Sequence, residues 1–288
     1  MDITAVLAAS PGLFALVAGL FGLIVGSFLN VLIYRLPIME ERKWRSECAE
    51  LLAQPLPAEA AFNLWWPRSQ CPHCHHPIGV LENIPVLSYL RLRGRCRHCQ
   101  GRIALHYPLV ELLSGVLAAL TAWHFGYSWQ APAALVLTWG LLALSVIDLQ
   151  RHWLLDAITL PLLWLGIGLA LFDLFTDLRS SVLGAIAGYL SLWAVYWVFR
   201  LLTGKEGMGQ GDFKLLALLG AWLGWQYLPA IIIASAGVGA LLGIALMVGR
   251  GWDRNVPLPY GPFLAAAGWL TLLWGASFNE AYLRWLGW

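Results

Sequence analysis

The chain is short of charge. Aspartate, glutamate, lysine and arginine make up 12% of its 288 residues, against about 25% in a soluble domain. That shortage excludes an ordinary soluble fold, whose surface needs such side chains. The charges present nearly cancel, at +2, which excludes the strongly basic surface of a nucleic-acid-binding protein. Cysteine is scarce too: there are five, and four of them fall in two pairs. No glycine-rich Rossmann signature is present, and no repeat suggests an inverted transporter fold. The opening "MDITAVLAASPGL" has no basic region and no small-residue cleavage site after its apolar run, so no cleaved signal peptide is expected.

What is abundant is apolar surface. Hydrophobic residues make up 59% of the chain, 17 of them tryptophan, and the mean hydropathy is +0.68. Tryptophan gathers at membrane–water interfaces. The expected fold class is an all-α polytopic membrane protein. A window of about 20 residues places eight transmembrane helices near Pro11–Tyr34, Tyr107–Tyr127, Gln130–Leu149, Ala157–Phe175, Ser181–Leu202, Asp212–Tyr227, Leu228–Gly249 and Tyr260–Phe278. The sixth is short for a full crossing. Three regions follow: a first transmembrane helix over 1–34, a cytosolic insert over 35–106, and a seven-helix transmembrane core over 107–288. Basic residues set the orientation. With the N-terminus outside, the cytosolic ends beyond the insert hold Arg151, Arg200, Lys205, Lys214, Arg250 and Arg254, whereas the outside holds Arg179 and Arg284. The excess of inside cations supports that topology.

It puts two carboxylates at one membrane depth. The third span runs inward and ends in "LSVIDLQRHW", which carries Asp148; the sixth runs outward from "GKEGMGQGDF", which carries Asp212. Acids at the edge of hydrocarbon are functional candidates. Two that face each other share a proton, because like charges at close range do not both ionise, and such a dyad activates water for attack on a peptide carbonyl. The competing role for Asp212 is to cap its own helix. Asp148 resists that reading, since a helix C-terminus disfavours negative charge. Asp156 is expected to be a cap, and Glu111 a helix-start carboxylate stabilised by the dipole. Glycines before Asp212 let a backbone approach a ligand closely.

The insert carries "CPHC" and "CRHC", that is Cys71, Cys74, Cys96 and Cys99, with 21 residues between the pairs. Two such knuckles suit a tetrahedral zinc site with four thiolates. Disulfides compete, but thiols on the cytosolic side stay reduced. His73, His75, His76 and His98 are expected to surround the site without ligating, and Cys48 to be a plain thiol.

These residues carry a resemblance. "GSFLNVLIYRLP", the two cysteine pairs, "ENIPVLSYLRLRGRCRHC", "YPLVELLSG", "IDLQ", "GMGQGDFKLLALLGAWLGW" and "LPYGPFLAAAG" together resemble the type IV prepilin peptidases, bifunctional leader peptidase/N-methyltransferases of bacterial inner membranes. The Gly209–Asp212 run matches that family's GxGD motif, shared with presenilin-type intramembrane aspartyl proteases. The resemblance implies that Asp148 and Asp212 are the catalytic pair, one as base and the other as proton donor. It implies prepilin and pseudopilin substrates, cut after a leader glycine at the cytosolic face. The new N-terminal amine, usually of Phe, is then methylated from S-adenosylmethionine. The implied setting is multi-pass in the inner membrane, against lipid, with the insert and the aspartates on the cytosolic side and zinc as a structural metal.

Two positions depart from the family pattern. Leu155–Asp156 stands where Pro–Asp is frequent, and His106 where Arg usually precedes "YPLVE". The residues that bind the methyl donor are not identified by any motif; Glu82, Asn83 and the Gly26–Asn30 turn are the positions offered for them. The rival reading is a transporter or proton-coupled channel, since paired acids also suit proton relays. A third is an assembly factor without catalysis, which the presence of both aspartates opposes.

Overall fold

The computed structural model describes residues 3–53, 60–79, 82–250 and 258–285. The fold is all-helical as expected: outside helices and turns, the described residues contain two isolated β-bridges. Two compact units divide the chain, Met1–Tyr127 and Ser128–Trp288.

The first unit contains α1 (Ile3–Ala9), α2 (Pro11–Leu51), α3 (Leu87–Arg91) and α4 (His106–Phe125). Pro11 opens α2, where a missing N–H costs nothing. The helix does not stop with its apolar stretch at Tyr34. It runs through Pro37 to Leu51, for 41 residues, because the following "MEERKWRSECAEL" is rich in good helix formers. Hydropathy marks where a segment leaves hydrocarbon, not where its helix ends. Small residues seat α2 on α4. A Cβ on Gly26 would lie 2.7 Å from Glu111 Cα, and Ser114 Oγ donates to the Gly22 carbonyl at 2.6 Å. Close backbone approach of this kind drives helix association in lipid.

The second unit contains α5 (Gln130–Arg151), α6 (Asp156–Ala170), α7 (Leu178–Thr203), α8 (Gln210–Leu223), a 3₁₀ turn at Trp225–Tyr227, α9 (Leu228–Arg250) and α10 (Gly261–Trp285). From Asp212 to Leu223, α8 is buried at every position except Lys214. A helix apolar all round belongs in a core, and α8 packs against α6, α7 and α10. Gly184 of α7 and Gly220 of α8 bring the two backbones into contact. Ser181 Oγ donates to the Ala221 carbonyl at 2.6 Å, and Trp222 Nε1 to the Leu162 carbonyl at 2.8 Å.

Each of the eight expected spans falls on a helix. Among the described residues, five helices are long and apolar enough to cross a membrane: α2, α4, α5, α7, and α9 with the 3₁₀ turn before it. The apolar α6 is shorter, with 15 residues. The 14 residues of α8 reach about 21 Å, short of the roughly 30 Å of hydrocarbon. Of the residues used for orientation, Arg254 and the side chains of Arg250 and Arg284 lie outside the described set.

Candidate active site and metal centre

Asp148 lies in the last turn of α5, and Asp212 is the third residue of α8. Each is 6% exposed, and the two carboxylates lie within electrostatic reach of each other. A third helix joins them. The backbone N–H of Gly261, the first residue of α10, donates to Asp148 Oδ2 at 3.1 Å. Leu154, in the loop after α5, closes the gap: a Cβ on Gly211 would lie 2.7 Å from Leu154 Cβ, and one on Gly261 would lie 2.7 Å from Asp148 Oδ2 and 3.1 Å from Leu154 Cδ2. Both glycines are close-approach positions, since no side chain fits between these elements. Tyr260 lies within electrostatic reach of Asp212, and its hydroxyl is tied to Ser235 Oγ of α9 at 2.7 Å.

The loop before Asp212 is built locally. Gly204 ends α7 in the left-handed region, at φ +69°, which glycine adopts without strain. Gly209 is the N-cap of α8, and its N–H reaches the Asp212 carboxylate. Asp212 thus serves its helix start, as a reciprocal capping residue does, while also meeting Asp148. Asp156 does not behave as expected. It makes no side-chain cap, and both its oxygens take Lys214 Nζ, at 2.8 and 2.7 Å. The cation two residues after Asp212 draws it away from the helix end. Glu111 also departs from expectation: it is the sixth residue of α4, beyond the first turn where the dipole acts, and its Oε2 accepts the Val86 N–H at 2.7 Å.

In the first unit, Cys71, Cys74, Cys96 and Cys99 form one cluster. Their Sγ atoms lie within 4.8 Å of one another, so that one metal ion can touch all four. The two knuckles repeat each other bond for bond. Cys71 N–H donates to the His76 carbonyl and His75 N–H to the Cys71 carbonyl; Cys96 N–H donates to the Gly101 carbonyl and Gln100 N–H to the Cys96 carbonyl. His75 and Gln100, each following the second cysteine of its pair, sit at φ +56° and +57°. An isolated bridge flanks each turn, Gln70 with Pro77 and Arg95 with Arg102. The Cys74 and His73 N–H groups point at Cys71 Sγ and hold that thiol down at about 6, against the burial that opposes it. Cys74 receives the His76 N–H, but burial and the neighbouring sulfurs push it up to about 11. Thiols this close do not all ionise without a cation among them. No histidine joins the ligand cluster. His76 and His98 stack beside it at 4.6 Å between ring centroids, and Cys48 is exposed and apart from it.

Sequence reasoning singled out residues that the structure brings together, Asp148 with Asp212 and the four cysteines with one another. It missed Gly261, Leu154 and Tyr260. The Tyr–Gly–Pro run at 260–262 signals a helix entry, but nothing in it names Asp148 as the partner.

Two family models match the chain. Residues 20–125 match the Bacterial Peptidase A24 N-terminal domain, and residues 135–244 match the Type IV leader peptidase family. Among curated proteins, the chain is 55% identical to a prepilin leader peptidase/N-methyltransferase of Stutzerimonas stutzeri, over 96% of each chain. It is 52% identical to one of Pseudomonas aeruginosa, over 98% of this chain and 97% of the other. It is 54% identical to one of Aeromonas hydrophila, over 95% of each. No solved structure matches significantly.

Proposed function

The chain belongs to the type IV leader peptidase family, and on that premise we propose that it cleaves the leaders of type IV prepilins and pseudopilins and then N-methylates the new N-terminus. The observation that carries the protease half is the buried pair Asp148 and Asp212, gathered by three helix ends. Asp148 Oδ2 is occupied as an acceptor of the Gly261 N–H, which leaves the shared proton to the other oxygen or to Asp212. In this reading Asp148 takes a proton from the attacking water. Asp212 donates a hydrogen bond to the scissile carbonyl, and its proton then passes to the leaving amine. The transporter alternative has no support in the family or the relatives.

The metal in this reading is zinc. A tetrahedral Zn²⁺ with sulfur about 2.3 Å away places its ligands about 3.8 Å apart, and Cys71 Sγ lies 3.8 Å from Cys99 Sγ. Its role is structural: four thiolates leave no open position. The methyl donor is S-adenosylmethionine, which supplies an electrophilic methyl on a sulfonium. The protein sits in a bacterial inner membrane with the N-terminus periplasmic and the insert and aspartates cytosolic, as the basic residues favour. The insert over 35–106 carries the zinc, and the helices of 107–288 carry the protease.

The test is leader cleavage of a prepilin by the purified protein in detergent, beside Asp148→Asn. Cleavage by the parent and a loss of at least about 100-fold in the variant is expected. Full activity in Asp148→Asn sinks the assignment.

A further inference from the structure

A cavity of about 540 Å³ opens in the first unit, within the range of small-molecule sites. It is lined from α2, α3, α4 and both zinc-type knuckles, and nothing in the protease chemistry uses it. Resting on the methylation reading above, we propose that this cavity binds the methyl donor, an adenosyl sulfonium amino acid.

Its chemistry matches the parts of that ligand. Tyr34, Tyr89 and Tyr107 line it, and aromatic rings are groups on which an adenine stacks and toward which a sulfonium cation is drawn. The Glu111 carboxylate is in the lining too. It is fixed on one side by the Val86 N–H and on the other by Ser27, so a cation meets carboxyl oxygens held in place. Asn30 is held by its bond to the Tyr107 carbonyl at 3.0 Å. Arg35 is not the anion receptor, because its guanidinium is committed to the Asn63 and Pro67 carbonyls at 2.8 and 2.6 Å.

A residue bonded to the wall, though not part of the lining, is strained. Val86 is β-branched yet sits at φ +59°, a conformation that costs such residues energy and is found at ligand clamps. Its N–H is the one that fixes Glu111. Cys71 and Cys96 complete the far wall, which couples the shape of the cavity to the metal centre.

The test uses the full chain in detergent and S-adenosylmethionine labelled in its methyl group. Equilibrium dialysis is expected to show saturable binding, displaced by S-adenosylhomocysteine and not by AMP, which replaces the sulfonium amino acid by a phosphate. Tyr34→Ala and Glu111→Gln should each weaken binding at least tenfold while bound zinc and leader cleavage stay at parental levels. Leu90→Ala, exposed on α3 and outside the lining, should bind as the parent does. A second measurement covers variants that fail to fold. In a Cys48→Ser background, Ser88→Cys places a thiol in the lining and Leu90→Cys one outside it; saturating donor should slow maleimide labelling at position 88 at least fivefold and leave position 90 unchanged. Equal rates, normal binding by both lining variants, or displacement by AMP overturns the placement while donor binding and methylation stand. A parent that binds no donor and transfers no methyl group overturns the methylation reading itself, and the placement with it.

Discussion

Around the cysteines the chain is held by its own neighbouring backbone; around the aspartates it is held by helices far apart in sequence. The bonded sulfurs of Cys71 and Cys99 are 28 positions apart, and each knuckle closes through carbonyls within five residues. Asp148 and Gly261 are 113 positions apart, and only the packing of α5, α8 and α10 brings them together. A centre built locally keeps its ligands together through short-range turns. A centre built from helix ends depends on the bundle being complete, and a membrane bundle completes itself by close backbone contact.

The sharpest way to break the comparison is to remove one carboxylate. Asp148→Asn or Asp212→Asn should lower leader cleavage by about 100- to 10,000-fold, the usual range for a lost acid–base group, while bound zinc and donor binding remain. Because a coupled pair titrates as a unit, the parent's kcat/KM should follow a bell-shaped pH profile. A rate flat from acid to neutral pH would argue against the pair.

Cys71→Ser is the matching cut in the first unit. It should release the metal and abolish methyl transfer, since structural zinc supplies folding energy to a small domain. Cleavage should fall less than in Asp148→Asn, because water activation uses no thiolate. Metal content, cleavage and methyl transfer measured on one preparation decide this. If cleavage vanishes as completely as in Asp148→Asn, the two centres are not separable.

Gly261→Ala tests the distant contact directly. A new Cβ 2.7 Å from Asp148 Oδ2 forces the carboxylate to shift by a few tenths of an ångström. Misplacing a catalytic group by about 1 Å can cost 100-fold, so a loss of about tenfold in kcat is expected, with KM little changed and methyl transfer intact. Single-turnover cleavage at saturating substrate reads it.

Asp156→Asn should do least. Its ion pair with Lys214 is half exposed on the carboxylate side, and exposed pairs contribute about 0.2–1 kcal/mol. Thermal unfolding in detergent should move slightly and cleavage stay within about twofold of the parent. A larger loss of cleavage would mean that Lys214 positions the start of α8, and with it Asp212.

The same difference explains what could be read from sequence. The knuckles were legible because their ligands are the spacing itself: Cys71–Cys74 and Cys96–Cys99 are short-range patterns with one familiar geometry. The aspartates were legible because an acid at the end of a greasy segment stands out. Hydropathy placed the helices, but it ends α2 at Tyr34 because it is blind to a helix that continues in polar residues. Gly261, Leu154 and Tyr260 were invisible for a different reason. Nothing local distinguishes a glycine that touches Asp148 from one that only starts a helix. The role of Asp156 was missed because its partner, Lys214, is 58 positions away.

The 41 residues of α2 make a beam about 60 Å long, twice the thickness of hydrocarbon. Pro37 removes one hydrogen bond from its interior, which sets the most compliant turn of the beam just past the apolar half. Arg35 clamps the Asn63 and Pro67 carbonyls beside that pivot, whereas Arg42 reaches the Ala60 carbonyl from farther out along the arm, at 3.2 Å. The leverage is therefore unequal: a bend at Pro37 would carry Ala60, held farther out, through a longer path than Pro67. The knuckles, which begin four residues after Pro67, are anchored at the fulcrum and not at the tip.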